Sequence, residues 1–273
     1  MGVPPLRALV ADGHDVRLVV TRADKRRGRG GALLPSPVKA AALDLGLPVT
    51  DRVDDIVDAD VDLGVVVAFG RLIKKPVLDA VPMINMHFSL LPRWRGAAPV
   101  ERAILAGDLT TGVSIMRLEE GLDTGPVYAE HVVQMQPHET AAELRARLTD
   151  VGTDLLLQLL RNASEGRASE GRASDGRGLP EPRPQEGEPT YAEKLSPEDL
   201  RLDWSQPPEQ LERVVRVGGA WTTFRGKRLK VHRARVRDGE LDLLVVQPEG
   251  KGRMAASDWA RGARWQPDEA LGS

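Results

Sequence analysis

Apolar positions in the first 160 residues follow two alternating rhythms. Pro4 to Asp12 sets Leu6, Leu9 and Val10 on one side behind an opening proline, the spacing of a short helix. After Gly13-His14, the β-branched run Asp15-Val16-Arg17-Leu18-Val19-Val20-Thr21 predicts a strand. Pro37 to Leu45 predicts a helix stopped by Gly46, with a short Leu47-Pro48-Val49 strand behind it. Asp62 to Phe69 is a near-continuous apolar run ended by Gly70, the pattern of a strand buried on both faces. A helix over Lys74 to Ala80 leads into the strand Met83-Ile84-Asn85-Met86-His87. Helices are expected over Ala98 to Ala106 and over Thr140 to Leu160, the latter opening with a Thr140-Ala141-Ala142-Glu143 capping box. This order predicts a parallel sheet covered by helices.

The rhythm then stops. Ala163 to Arg167, Ala168 to Arg172 and Ala173 to Arg177 are three copies of one pentapeptide, followed by Pro180, Pro182, Pro184 and Pro189. A five-residue period fits no solenoid, and nothing in the repeats is apolar and larger than Ala, so the segment reads as a tether. Past Tyr191, a helix near Pro208 to Arg216 precedes short strands over Trp221 to Phe224, Leu229 to Val236 and Leu241 to Gln247. Arg225-Gly226-Lys227 and Arg237-Asp238-Gly239 supply the hairpin turns. The expected organisation is an α/β domain over residues 1–161, a linker over 162–189 and a small β-rich domain over 190–273. Trp204, Trp221, Trp259 and Trp265 are expected to pack that last domain.

Composition narrows the chemistry. At 273 residues, 41% hydrophobic and 29% charged, the chain has ordinary globular content and length for one or two domains. With no cysteine, it has no thiolate nucleophile, disulfide or Cys-ligated metal. No apolar run approaches the ~20 residues of a membrane helix, and the N-terminus lacks secretory features. A cytoplasmic protein without membrane association is expected. The net charge of −2 conceals a division, because Arg213 to Arg237 holds nine Lys/Arg and no Asp or Glu, leaving −11 elsewhere. A second basic cluster runs from Arg22 to Arg29. Such patches suit a polyanion partner or form solvated charged faces.

Several familiar motifs fail. Gly28-Arg29-Gly30-Gly31 lacks the third glycine of a dinucleotide loop, where Leu33 stands, and no P-loop, zincin or nucleophile-elbow pattern occurs. The five histidines are too scattered in sequence to set out a metal site. The segment Asn85-Met86-His87-Phe88-Ser89-Leu90-Leu91-Pro92-Arg93-Trp94-Arg95-Gly96 remains. Residues i and i+2 of a strand share a face, so Asn85 and His87 project together at the carboxyl end of a parallel strand, where open α/β sheets bind ligands. An amide beside an imidazole suits oxyanion stabilisation and proton transfer in acyl transfer, and equally suits a hydrogen-bonded pair at a strand end.

Asn85 to Pro92, Arg93 to Pro99 and the Leu118 to Pro126 run Leu-Glu-Glu-Gly-Leu-Asp-Thr-Gly-Pro closely resemble the methionyl-tRNA formyltransferase family, among the 10-formyltetrahydrofolate-dependent transferases. The likeness spans nearly the whole chain and includes Gly28-Arg29-Gly30, Pro35 to Lys39, Thr190-Tyr191-Ala192, Gly226 to Lys230 and Gln247 to Lys251. It implies a Rossmann-like catalytic domain and a small C-terminal OB-like β-barrel. It further implies Asn85, His87 and Asp123 as the catalytic trio, with Asn85 and His87 stabilising the oxyanion and Asp123 setting the protonation of His87. Ser89, Leu90, Leu91 and Pro92 would line the 10-formyltetrahydrofolate site, largely through backbone groups. Arg26, Arg27 and Arg29, with Arg225, Lys227, Arg228 and Lys230, would contact initiator methionyl-tRNA. A monomer that needs no metal is expected.

The chain departs from the family pattern in three places. It opens at Val3-Pro4-Pro5-Leu6, past the family's first strand and Gly-Thr-Pro loop, so an in-frame Gly-Thr-Pro upstream of Met1 is expected. Arg216 to Trp221 is shorter than its family equivalent, and roughly two strands are absent between Arg237 and Leu241, so a reduced barrel is expected. Two other readings are a transferase that formylates a sugar or small amine, and a shortened homologue that binds without turnover.

Overall fold

The computed structural model describes residues 1–27, 31–169, 178–266 and 269–272. The chain forms two compact units, one of Met1–Gly96, Gly112–Val133 and Ala146–Tyr191, the other of Ala97–Thr111, Gln134–Arg145 and Ala192–Ser273. These units cut across the sequence-based boundaries. Leu105 packs on the C-terminal apolar core, which draws the segment around it into the second unit.

In chain order the elements begin with α1 (Val3–Ala11), β1 (Val19–Val20), β2 (Lys25–Arg27), β3 (Ala32–Leu34), α2 (Pro37–Asp44) and β4 (Val49–Thr50). They continue with β5 (Gly64–Val67), α3 (Lys75–Ala80), β6 (Met83–His87), β7 (Arg95–Gly96), α4 (Pro99–Ala106), β8 (Thr110–Arg117) and β9 (Val127–Gln134). The long α5 (Ala141–Ser169) and β10 (Tyr191–Ala192) precede α6 (Pro208–Val217), β11 (Trp221–Phe224), β12 (Lys227–Arg237), β13 (Glu240–Pro248), β14 (Met254–Ala255) and α7 (Ala256–Ala263).

The main sheet of the first unit has the order β5-β6-β8-β9. It is mixed rather than wholly parallel, because β6 runs parallel to β5 and antiparallel to β8. An antiparallel strand on an otherwise parallel sheet is a common variant. On one face, Ile84 of β6 and Ile115 of β8 pack against Leu156, Leu159, Leu160 and Ala163 of α5. Gly152 lets α5 approach closely, since a Cβ there would stand 2.6 Å from the Met86 sulfur. This packing turns Asn85 and His87 to the opposite face.

Strands β1 and β4 form a separate parallel pair. The edges of β1 and β5 both line a cavity of about 910 Å³, capped by side chains of α1, α2 and α5. Val19 and Thr21 donate to the carbonyls of Pro48 and Thr50, so the intervening Val20 aims its backbone polar groups into the cavity. Gly64 donates to Pro82, which turns Val65 and Val67 away from β6 in the same manner. The run around Leu63 is thus half-buried rather than buried on both faces.

The segment read as a tether is largely built into the first unit. Helix α5 continues to Ser169, through the first pentapeptide and into the second, because Ala163 is buried against Ile84 and Leu179. Residues 170–177, with the rest of the repeats, lie outside the described residues. Farther on, Arg183 and Val127 exchange two main-chain hydrogen bonds at 2.7 and 2.8 Å.

The capping box ahead of α5 forms as expected. The Thr140 amide donates to the Glu143 carboxylate at 2.9 Å, and the Glu143 amide donates back to Thr140 Oγ1 at 3.3 Å. In the second unit, β11-β12-β13-β14 make an antiparallel sheet whose core includes Phe224, Leu229, Val231, Val246 and Trp259. Asp238 and Gly239 join β12 to β13 with φ of 52° and 78°, a tight two-residue turn. Trp259 meets Phe224 edge to face at 5.1 Å. Trp204 packs against the same core, whereas Trp265 is 38% exposed.

Candidate active site

The site starts from the two-residue period of β6. Asn85 and His87 share the face opposite α5, at the carboxyl end of the strand. His87 is 5% exposed. Its Nε2 lies 2.8 Å from the Trp94 carbonyl oxygen. A carbonyl only accepts, so Nε2 carries the proton and the neutral ring presents its lone pair at Nδ1. That nitrogen faces Asp123 Oδ2 at 3.7 Å. Burial pushes the His87 pKa below its ordinary value, opposed in part by the Asp123 carboxylate and then by the Trp94 carbonyl. The imidazole is therefore neutral at pH 7, ready to accept a proton rather than already carrying an extra one.

Asp123 reaches this point from the loop between β8 and β9, on backbone with φ of 49°. Oδ2 accepts from the Gly96 amide at 2.7 Å, and Oδ1 accepts from Asn85 Nδ2 at 3.4 Å. Asn85 Nδ2 has a second N–H beyond the one aimed at Asp123. Gly125 is needed at the loop's return, where a Cβ would stand 2.0 Å from the Arg117 carbonyl oxygen. Asn85 and His87, neighbours on β6, thus converge with the sequence-distant Asp123. The groups that hold them, the Trp94 carbonyl and the Gly96 amide, lie in the Arg-Trp-Arg-Gly run, whose roles were invisible in sequence because they are main-chain roles.

The Ser89 to Pro92 loop continues directly from His87 through Phe88. Ser89 and Leu91 are buried, with Leu91 packed on Met116 and Val127. The loop's polar groups hold the loop itself: Ser89 Oγ donates to the Arg93 carbonyl and the Arg93 amide donates to the Leu90 carbonyl. Ser114, buried in β8, bonds both the Ser89 carbonyl at 2.8 Å and the Leu91 amide at 3.1 Å. The loop that the sequence reading expects to line the folate site, largely through backbone groups, is thus braced by these bonds. Its polar groups fix its shape, and Ser114 was missed because a lone serine within an apolar strand carries no motif.

The basic residues fall on two surfaces. Arg26 and Arg27 lie on β2 of the β2–β3 hairpin, while Arg29 lies outside the described residues. At the hairpin's base, Lys39 Nζ contacts Asp24 at 3.0 Å. In the second unit, Lys227, Arg228 and Lys230 are exposed on β12, and Arg228 stacks over the Trp221 ring at 3.9 Å. Past an irregularity in register around His232, Arg233, Arg235 and Arg237 are exposed as well. Arg225 differs, since Glu269 and the Ala263 carbonyl hold its guanidinium. Its charge is largely met within the domain.

Among the described residues, no group of three or more His, Asp or Glu is placed to hold a metal ion. No helix among them is long and apolar enough to cross a membrane.

The chain is similar to known proteins along most of its length. Residues 6–160 match the formyl transferase family, and residues 194–242 match the formyl transferase C-terminal domain. A methionyl-tRNA formyltransferase of Clavibacter michiganensis is 42% identical over 296 residues, spanning 95% of this chain and 93% of that protein. One from Streptomyces coelicolor is 39% identical over 310 residues, covering 100% of this chain and 96% of its own. The fold resembles the methionyl-tRNA formyltransferase of Clostridium thermocellum, with a TM-score of 0.55 at 18% identity, over 76% of this chain and 87% of that one. The chain belongs to the formyl transferase family and, within it, to the methionyl-tRNA formyltransferases.

Proposed function

We propose that this chain transfers the formyl group of 10-formyltetrahydrofolate to the amino group of initiator methionyl-tRNA. It acts as a cytoplasmic monomer without membrane association. The observation that carries this reading is the convergence of Asn85, His87 and Asp123 at the end of β6, with the imidazole Nδ1 turned toward a carboxylate. The amine lone pair attacks the formyl carbon, and the carbonyl π pair moves onto oxygen. Asn85 donates its second Nδ2 proton to that oxyanion. His87 Nδ1 takes the proton leaving the amine, and Asp123 beside it stabilises the imidazolium. When the oxygen pair returns, the bond between the formyl carbon and N10 breaks. N10 keeps the bonding electrons and receives the proton from His87, which releases tetrahydrofolate and the formylated amine. The Ser89 to Pro92 loop, held from behind by Ser114, shapes the wall along which the folate lies. Because Nε2 is bonded to Trp94, His87 serves the proton and Asn85 serves the oxyanion.

Lys227, Arg228 and Lys230, on the same strand as Arg233, are the best-placed cations for tRNA phosphates. Arg26 and Arg27 act on the hairpin, and Arg225 acts mainly by shaping the β11–β12 turn. Purified chain given the folate donor should formylate charged initiator tRNA and leave a sugar amine unmodified. Raising salt should weaken tRNA binding, and Lys227→Ala or Lys230→Ala should each lower the salt slope by about one while kcat is retained. A flat salt response would remove β12 from the tRNA site, and formylation of the sugar amine alone would overturn the assignment.

A further inference from the structure

Gln185 lies in the Pro-rich stretch that sequence alone reads as a tether, yet its side chain is inserted between the two chain segments that hold Asp123. Nε2 donates to the Asp123 carbonyl at 2.8 Å and to the Gly125 carbonyl at 2.7 Å. Oε1 accepts from Arg95 Nε at 3.0 Å and from Arg95 Nη2 at 2.6 Å. Carbonyls only accept and a guanidinium only donates, so the orientation of the amide is fixed by its partners. Both of its donors and both of its acceptor lone pairs are used. No other side chain of similar size offers two donors toward one segment and two acceptor sites toward the other.

The two segments meet again at the carboxylate. Gly96, next to Arg95, donates its amide to Asp123 Oδ2. A closed ring therefore runs from Gln185 through the Asp123 main chain to its carboxylate, across to Gly96, and back through Arg95. The ring also holds the Asp123 backbone in left-handed space, which residues with a Cβ adopt less readily than glycine. The strap bearing Gln185 is itself tied down on both sides. Arg183 pairs with Val127 before it, and Thr190 after it accepts the Trp94 amide at 2.9 Å.

We infer that Gln185 is a positioning residue of the formyl-transfer site, fixing the Asp123 carboxylate relative to His87 by locking the Leu122 to Gly125 loop to Arg95. The inference rests on the proposed formyl transfer for its kinetic consequence, but the position of Asp123 can be read without any substrate. Loosening the ring misplaces the carboxylate, not the substrates, so turnover falls while substrate affinity holds.

The test uses the full chain with Gln185→Met, close in shape but without polar atoms, and Gln185→Glu, which sets a carboxylate against two carbonyls. Both variants should lose about 10- to 100-fold in kcat with KM for folate and tRNA within twofold. An NMR titration of the His87 ring supplies the substrate-free readout. In Gln185→Met, which adds no charge, its midpoint should move down toward that of Asp123→Asn, since the carboxylate that favours the imidazolium is no longer held beside it. An unchanged kcat, or a loss of kcat with the His87 midpoint unmoved, overturns the inference. If one variant fails to fold, the other carries the measurement, and thermal unfolding identifies which. A wild-type chain inactive on methionyl-tRNA would sink the proposed function, while the His87 titration would still decide the role of Gln185.

Discussion

Replacing His87 with alanine is expected to lower kcat by about 10²- to 10⁴-fold, the contribution of a positioned proton carrier. The case rests on burial and tautomer together. The ring is almost wholly enclosed, its Nε2–H is committed to the Trp94 carbonyl, and burial keeps it neutral with Nδ1 as its basic atom. Among the described residues, His14, His138 and His232 pair elsewhere, with Asp12, Glu212 and Gln247. Asn85→Ala should cost about 10²- to 10³-fold, the effect of losing one oxyanion donor. The two losses are distinguishable by pH. Wild type and Asn85→Ala should share an acid limb with a midpoint below the ordinary ~6.5 of histidine, because burial lowers that pKa and the rate needs the neutral ring. His87→Ala should lack the limb. A His87→Ala enzyme within tenfold of wild type would end the argument for proton transfer at Nδ1.

The second large effect is expected at Asp123. Alanine there removes the carboxylate facing Nδ1 and also frees the Gly96 amide and the Asn85 amide. A kcat loss of at least about 10²-fold follows if the imidazolium formed during transfer depends on that neighbour. Asp123→Asn separates charge from shape. Its acid limb should lie at lower pH than wild type, since the group that raises the His87 pKa is gone while the burial that lowers it remains. A double variant of His87 and Asp123 should be hardly slower than His87→Ala alone, because the two act on one proton. Full multiplication of the two losses would assign Asp123 a separate task.

Much of this site was legible in sequence, and the rest was hidden for identifiable reasons. The period of two in Met83 to His87 places Asn85 beside His87, and the Leu-Asp-Thr-Gly run brings in Asp123 by resemblance. Strands β8 and β9 went unpredicted. Most of β8 is buried without alternation, and β9 alternates poorly, with Val127 and Val133 as its buried residues. Gln185 could not be read at all, because glutamine among prolines and acids has the composition of a linker. The small C-terminal domain was easier, since Asp238-Gly239 between apolar-alternating runs is strong hairpin chemistry.

The divided sheet of the first unit has a consequence for how the backbone meets solvent. Along β1 and β5, one residue bonds its neighbour strand and the next points its amide into the cavity. Hydrogen exchange along these two strands should therefore be striped. The amides of Val19, Thr21, Gly64 and Val66 should be protected, while those of Val20, Val65 and Val67, each one position away, exchange early. Stripes of period two would mark the cavity's two walls residue by residue, whereas uniform protection would mean that the walls have closed on each other in solution.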